Sequence, residues 1–271
     1  MCRLLGISVS AFYSWLNQGA RDIAQTRENQ TIRIKQIFAQ MKRRYGSKRI
    51  FKQLKEEGVR ICRSTVESIM RDNHLIAKGK KRFKTTTDSD HGNPAAPNLL
   101  DRRFDVAAVD SVWLSDITYL PLSHGGFIYL CVIMDLASRK IIGWYVEAHM
   151  EASLVNSTLI SAVINRGHVA PGIIFHSDQG SQYGAKDFID LLDLYDFQRS
   201  MSRRAQCWDN APMESFFDSL KTEYPECLKF KGLDDARLGL FEYIEIFYNR
   251  ERMHSAIDYQ RPSSYESLNG R

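Results

Sequence analysis

The sequence predicts an α/β domain built on a mixed sheet, preceded by a helical, basic region. Three observations carry that expectation. The apolar runs "VWLSDITYLPL", "FIYLCVIMDL" and "KIIGWYVEA" follow one another through "SHGG" and "ASRK", the pattern of hairpin-linked strands. Downstream, helical and strand periodicities alternate, which gives a mixed sheet rather than a purely antiparallel one. Charge divides at the same place. Residues 1 to 104 carry 22 Lys+Arg against 9 Asp+Glu, a balance of +13, and the remainder carries 15 against 23, a balance of −8. A basic front half suits a polyanion, and an acidic back half gathers carboxylates.

In chain order, "LLGISVSAFYSWL" has helix-turn-helix character, with Gly6 in the turn and Ser8 opening a second helix. Ile34, Ile37, Phe38 and Met41 give the stretch from about Thr26 to Tyr45 an amphipathic helical spacing. "YGSKRIFKQLKEEGVRICRSTVESIMRDNHL" reads as helix, turn at Gly58, and a second helix capped by Ser64 or Thr65 and ending near Asn73. Lys48, Arg49, Arg63 and Arg71 decorate this pair, as expected of a module lying on phosphates. "KGKKRFKTTTDSDHGNPAAPN", with Lys80, Lys81 and Arg82, lacks apolar periodicity and reads as a basic, then polar, linker. The predicted organisation is a helical region over 1–77, a linker over 78–103 and a core with a C-terminal helical extension over 104–271. Within the core, the strands precede a helix from about Ala152 to Asn165, and a strand ends at Phe175. A helix from about Ala185 to Tyr195, a short strand in "QRSMS", a helix from near Asn210 and a long amphipathic helix over about Asp234 to Tyr248 complete it.

Bulk properties exclude several classes. At 44% hydrophobic and 25% charged, 271 residues fit a globular chain with a sizeable core. No apolar run approaches the roughly 18 to 20 residues of a bilayer span, and the N-terminus has no secretory signal pattern, so a cytoplasmic protein is expected. The five scattered cysteines include no C-x-x-C pair, which points to reduced thiols and argues against a cysteine zinc site.

Three acids stand out. Asp116 falls inside the first strand, where a charge is costly unless it is paired or holds a metal. Asp178 sits just past the buried run "GIIF", where a carboxylate is either a helix cap or a cation ligand. Glu214 lies in the first turn of a helix that Asp209 or Asn210 caps and Pro212 opens, a favourable place for a negative charge in any case. Taken together, the three form a set that two hard divalent cations, Mg²⁺ or Mn²⁺, require for phosphoryl transfer. Lys221 comes seven residues after Glu214, two helical turns along the same face, in reach of a substrate phosphate. Asp135, before a turn, and Asp209, as a cap, are decoys.

"WLSDITYL", "HSDQGSQY" and "CWDNAPMESFFDSLKTE" resemble the three acidic motifs of insertion-sequence transposases related to retroviral integrases. The resemblance is to the second-frame product (OrfB) of the insertion-sequence-three family. The 35 residues between Asp178 and Glu214 match that family's D, D, E spacing, and Lys221 matches its trailing basic residue. The match extends to "YNRERMHSAIDYQRPSSYE" and back to "RRYGSKRIFKQLKEEGV", nearly the whole chain. It implies an RNase H-like core in which Asp116, Asp178 and Glu214 hold two Mg²⁺ or Mn²⁺ ions. It also implies cleavage at a 3′ end of the element and transfer of that end to another phosphodiester, through a circular intermediate. Double-stranded DNA and further copies of the chain are the implied partners. Ala205 and Gln206 depart from the glycine expected before "CWDN". The helix-turn-helix and leucine-zipper segment of the first reading frame is missing from this sequence, so an upstream partner or fusion is expected to share end recognition. Two other readings are a plain RNase H-type nuclease and an inactive, domesticated DNA-binding regulator. Neither accounts as well for both the basic front half and the intact acids.

Overall fold

The computed structural model describes residues 6–79, 96–204 and 206–270, apart from the side chains of 18–21 and 207. The chain forms two compact units, Met1–Gly79 and Lys80–Arg271. Lys80, Lys81 and Arg82 lie outside the described residues, as does most of the expected linker.

Among its described residues, the first unit contains three helices. Ser8 caps α1 (Val9–Gln40) by accepting a hydrogen bond from the Ala11 amide. The expected break between a helix-turn-helix near residue 16 and an amphipathic helix from Thr26 is not seen. One 32-residue helix covers both, because nothing between them removes a backbone donor and a single interior glycine costs only about 1 kcal/mol. Leu4 and Leu5, where the preceding helix was expected, lie outside the described residues. Helices α2 (Ser47–Glu56) and α3 (Arg63–Asp72) pack on the C-terminal half of α1. The unit's core is Ile34, Ile37, Phe38, Tyr45, Ile50, Leu54, Val66, Ile69 and Met70. Arg33 fastens α1 to the end of α2 through a two-pronged contact with Glu57 at 2.7 and 2.6 Å. The position before α3 is Cys62 rather than the expected Ser64 or Thr65, which fall inside its first turn.

The second unit is built on a five-stranded sheet of order β3-β2-β1-β4-β5. Strands β1 (Val112–Pro121), β2 (Phe127–Asp135) and β3 (Ile141–Glu147) form an antiparallel meander, as the alternation predicts. After α4 (Ala152–Arg166), β4 (Ile174–Ser177) returns parallel to β1. Then α5 (Lys186–Leu194) leads to β5 (Gln198–Met201), parallel to β4. This is the mixed sheet expected of an RNase H-like core. One sheet face packs Trp113, Cys131 and Ile133 against Leu154, Leu159, Phe188 and Leu192 of α4 and α5. Period-two alternation sends Asp116 and Thr118 to the opposite face.

Against β1 lies α6 (Ala211–Glu223), after a 3₁₀ turn at Cys207–Asn210. The long C-terminal helix begins as α7 (Leu233–Phe241) and continues with π geometry over Glu242–Glu251. Helix α8 (Pro262–Asn269) follows. Among the described residues no helix is long and apolar enough to cross a membrane.

Candidate active site

The pairing of β1 with β4 brings the first two acids together. Leu114 stands opposite His176, and carrying that register two residues further sets Asp116 level with Asp178. Neighbouring strands run about 4.8 Å apart, so the two carboxylates share one edge of the site. Strand β4 runs two residues past the expected end at Phe175, since His176 and Ser177 are buried and paired with β5. Asp178 is therefore the first residue beyond the sheet. Its Oδ1 accepts the Gly180 amide at 3.0 Å, forming a tight turn that turns the chain away from the strand.

Glu214 arrives from the first turn of α6 and Lys221 from its last, seven residues apart. Lys221 Nζ donates to Thr118 Oγ1 at 2.8 Å and lies over the Tyr119 ring at 5.4 Å. Thr118 is two residues beyond Asp116 on the same face of β1, so the ammonium sits beside the carboxylates. Burial pushes the Lys221 ammonium below its usual range. The Asp116 carboxyl is held well above the usual carboxylate range. Burial is the first cause, followed by the charge of Asp178 and, more weakly, that of Glu214; the Ile117 amide and Lys221 oppose them. The structure thus brings Asp178, Glu214 and Lys221 into electrostatic reach of Asp116. Among the described residues, no three His, Cys, Asp or Glu side chains stand ready to hold a metal ion.

Several residues that support this site were given no part in its chemistry by the sequence. Asn210 Nδ2 donates to the Ser115 carbonyl at 3.0 Å, tying the start of α6 to the residue before Asp116. The buried Tyr183 hydroxyl bonds Ser115 Oγ at 2.9 Å from the other sheet face. His176 is clasped by Ser200 (2.8 Å) and Ser202 (3.2 Å), and burial lowers its pKa to about 4, so it is neutral. Asp209 is a buried clamp and not the expected helix cap. It takes Arg102 Nε at 2.6 Å, Arg203 Nε and Nη2 at 2.9 Å, and Asn98 at 3.0 Å. Those guanidinium bonds hold its carboxyl well below the usual range. Asn210 and Tyr183 were inside quoted motifs, but their partners are remote in sequence. Asp135 is a buried strand-end residue that accepts the Ser138 and Asp110 amides.

The basic residues of the first unit are placed as follows. Lys48 is exposed in the first turn of α2, and Arg71 is exposed at the end of α3. Arg49 lies over the Tyr45 ring at 5.4 Å. Arg63 pairs with Glu67 at 2.7 Å.

Three family descriptions match the chain: an HTH-like domain over 25–83 and two integrase core domains over 107–207 and 195–262. A Shigella sonnei protein, "Insertion element IS600 uncharacterized 31 kDa protein", is 36% identical over 98% of this chain and 97% of its own length. Transposase InsF for insertion sequence IS3A of Escherichia coli (strain K12) is 34% identical over 99% of this chain and 93% of its own. Among solved structures, the catalytic core domain of BIV integrase is 17% identical over 59% of this chain and 95% of that one, with a TM-score of 0.43. An integrase core preceded by a helix-turn-helix-like unit defines a DDE polynucleotidyl transferase. The chain belongs to the insertion-sequence-three family of transposases.

Proposed function

We propose that Asp116, Asp178 and Glu214 are the catalytic set with which this transposase cuts a 3′ end of its element and joins that end to another phosphodiester. The observation that carries the reading is that Asp178, just past β4, and Glu214, on α6, both raise the cost of ionising Asp116 on β1. The fold keeps that arrangement at a cost in stability, which a cation would relieve. The donor set is all carboxylate oxygen, which suits Mg²⁺ or Mn²⁺ and not a softer metal. Two such ions, when bound, would activate the attacking oxygen and stabilise the leaving one. The chain's own residues do the rest. Strands β1 and β4 hold two acids at one edge, Asn210 locks α6 against β1, and Lys221 offers an ammonium to a phosphate of the bound strand.

On this reading residues 104–271 are the catalytic body. Residues 1–77 hold duplex DNA through Lys48, Arg49, Arg63 and Arg71, and Lys80, Lys81 and Arg82 extend that contact. Two element ends and a target require more than one copy of the chain, with an upstream first-frame partner or fusion sharing end recognition in the bacterial cytoplasm.

Asp178→Asn tests the proposal. Cleavage and strand transfer on duplexes bearing the element ends should fall by several orders of magnitude, since each 1.36 kcal/mol of barrier is tenfold. Thermal unfolding and duplex binding should stay near wild type. Asp187→Asn, on the exposed first turn of α5, is the control and should remain active. Near-normal cleavage by Asp178→Asn would overturn the assignment.

A further inference from the structure

We propose that Trp208 is a stacking platform for an unpaired nucleobase at the DNA end, a positioning residue distinct from the carboxylates. Trp208 is 65% exposed, among the most solvent-exposed large hydrophobic side chains of the second unit. Among the described residues no aromatic ring or cation packs on the indole. The backbone that follows it, by contrast, is fixed. Asp209 is fully buried and anchored by Arg102, Arg203 and Asn98. Asn210 is bonded to the Ser115 carbonyl, next to Asp116. A large apolar side chain on a rigid turn costs free energy in water and gains nothing from the fold. The geometry fits a surface that is covered when substrate binds.

The surroundings select the occupant. Arg203 and Arg102 clamp Asp209 yet keep 50% and 43% of their side chains exposed, and Arg204 is exposed beside them. An exposed indole one residue from a carboxylate held by two guanidinium groups is a combination that suits single-stranded nucleic acid, phosphates on the cations and a base on the ring. Trp208 precedes Glu214 by six residues, on the order of 10 Å along the turn and helix. That is within the span of a strand whose phosphodiester lies at the acids. Stacking accepts any base, so Trp208 recognises an unpaired base rather than a sequence. This inference rests on the strand-cutting reading only for the presence of a DNA end.

The test uses the full chain and two probes: a short duplex with a single-stranded 3′ overhang carrying 2-aminopurine at its first unpaired position, and the blunt duplex of the same sequence. Wild type and Trp208→Phe should quench the 2-aminopurine. Trp208→Ala should not, and should bind the overhang probe roughly tenfold more weakly while binding the blunt duplex as before. Asp178→Asn should quench like wild type, so failure of the catalytic assignment and failure of the stacking role are separately visible. Equal weakening on both probes, or none on either, would overturn the proposal. So would a change in oligomeric state of Trp208→Ala, measured by sedimentation, since the indole would then belong to a contact between protein chains.

Discussion

The Thr118 hydroxyl, two residues beyond Asp116 on the same strand face, accepts a hydrogen bond from Lys221 and helps to hold it beside the carboxylates. That bond orients the ammonium, and burial, which disfavours its charged form, makes contact with an anion favourable. Lys221→Ala should therefore weaken engagement of the cleaved DNA end by about 1.5 to 3 kcal/mol, the worth of one charge-assisted contact, with Lys221→Arg recovering part of it. Full strand transfer by the alanine variant would return Lys221 to a purely structural role. Asp116 yields a prediction of opposite sign. Its folded carboxyl binds its proton more tightly than the unfolded one, whose pKa is about 3.9. In metal-free protein the native state thus holds the extra proton, and stability falls as pH rises from that value through the raised one. Asp116→Asn removes the penalty. Its metal-free unfolding temperature should exceed wild type by roughly a few degrees at pH 8 and match it near pH 4, while DNA cutting is lost. A lower unfolding temperature at pH 8 would mean that the carboxylate stabilises the fold. The three acids and the lysine were legible as candidates because motif spacing carries them; Thr118, Asn210 and Tyr183 were not, because each acts on a residue about 70 to 100 positions away.

At the scale of elements, α6 must be immobile to present Glu214, and its far end is locked by a buried ion pair. Arg252 donates to both Glu223 oxygens at 2.8 and 3.0 Å and to Ser219 at 3.0 Å, while the Tyr243 hydroxyl completes Glu223 at 3.1 Å. Removing one member leaves a buried charge without its partner, so Arg252→Ala should cost about 3–5 kcal/mol in urea unfolding. Glu223→Leu combined with Arg252→Met should recover much of that, because both charges go together. A loss under 1 kcal/mol for the single variant would show that the pair is not an anchor. Strands and helices of the core were readable because period-two and period-3.6 patterns survive in the sequence. The π-helical stretch after Phe241 was not, since the wider turn alters backbone bonding without changing which residues are apolar. The merging of two expected helices into α1 escaped for a related reason: its N-terminal half exposes Tyr13, Trp15 and Ile23, so burial pattern gave no guide there.

Over the whole molecule, charge separates with the units. If the basic front half holds DNA through phosphates, the logarithm of affinity for duplex should fall linearly with the logarithm of salt. Lys48→Ala with Arg71→Ala should make that slope shallower by about 2, roughly one per lost phosphate contact, with little change in sequence preference. Salt-insensitive binding would reduce the +13 of residues 1 to 104 to a solvated surface. The sequence by itself determined the class of fold, the order of the core's strands and helices, the division of charge and the candidacy of the three acids. All of these are local patterns or fixed spacings along the chain. Only the tertiary structure decided that Asp116 stands level with Asp178, that Lys221 reaches Thr118, that Asp209 is a clamp for two arginines and that Trp208 is left facing solvent. Each depends on strand register or on packing between distant segments, where burial and mutual charge, rather than local propensity, set the free energy.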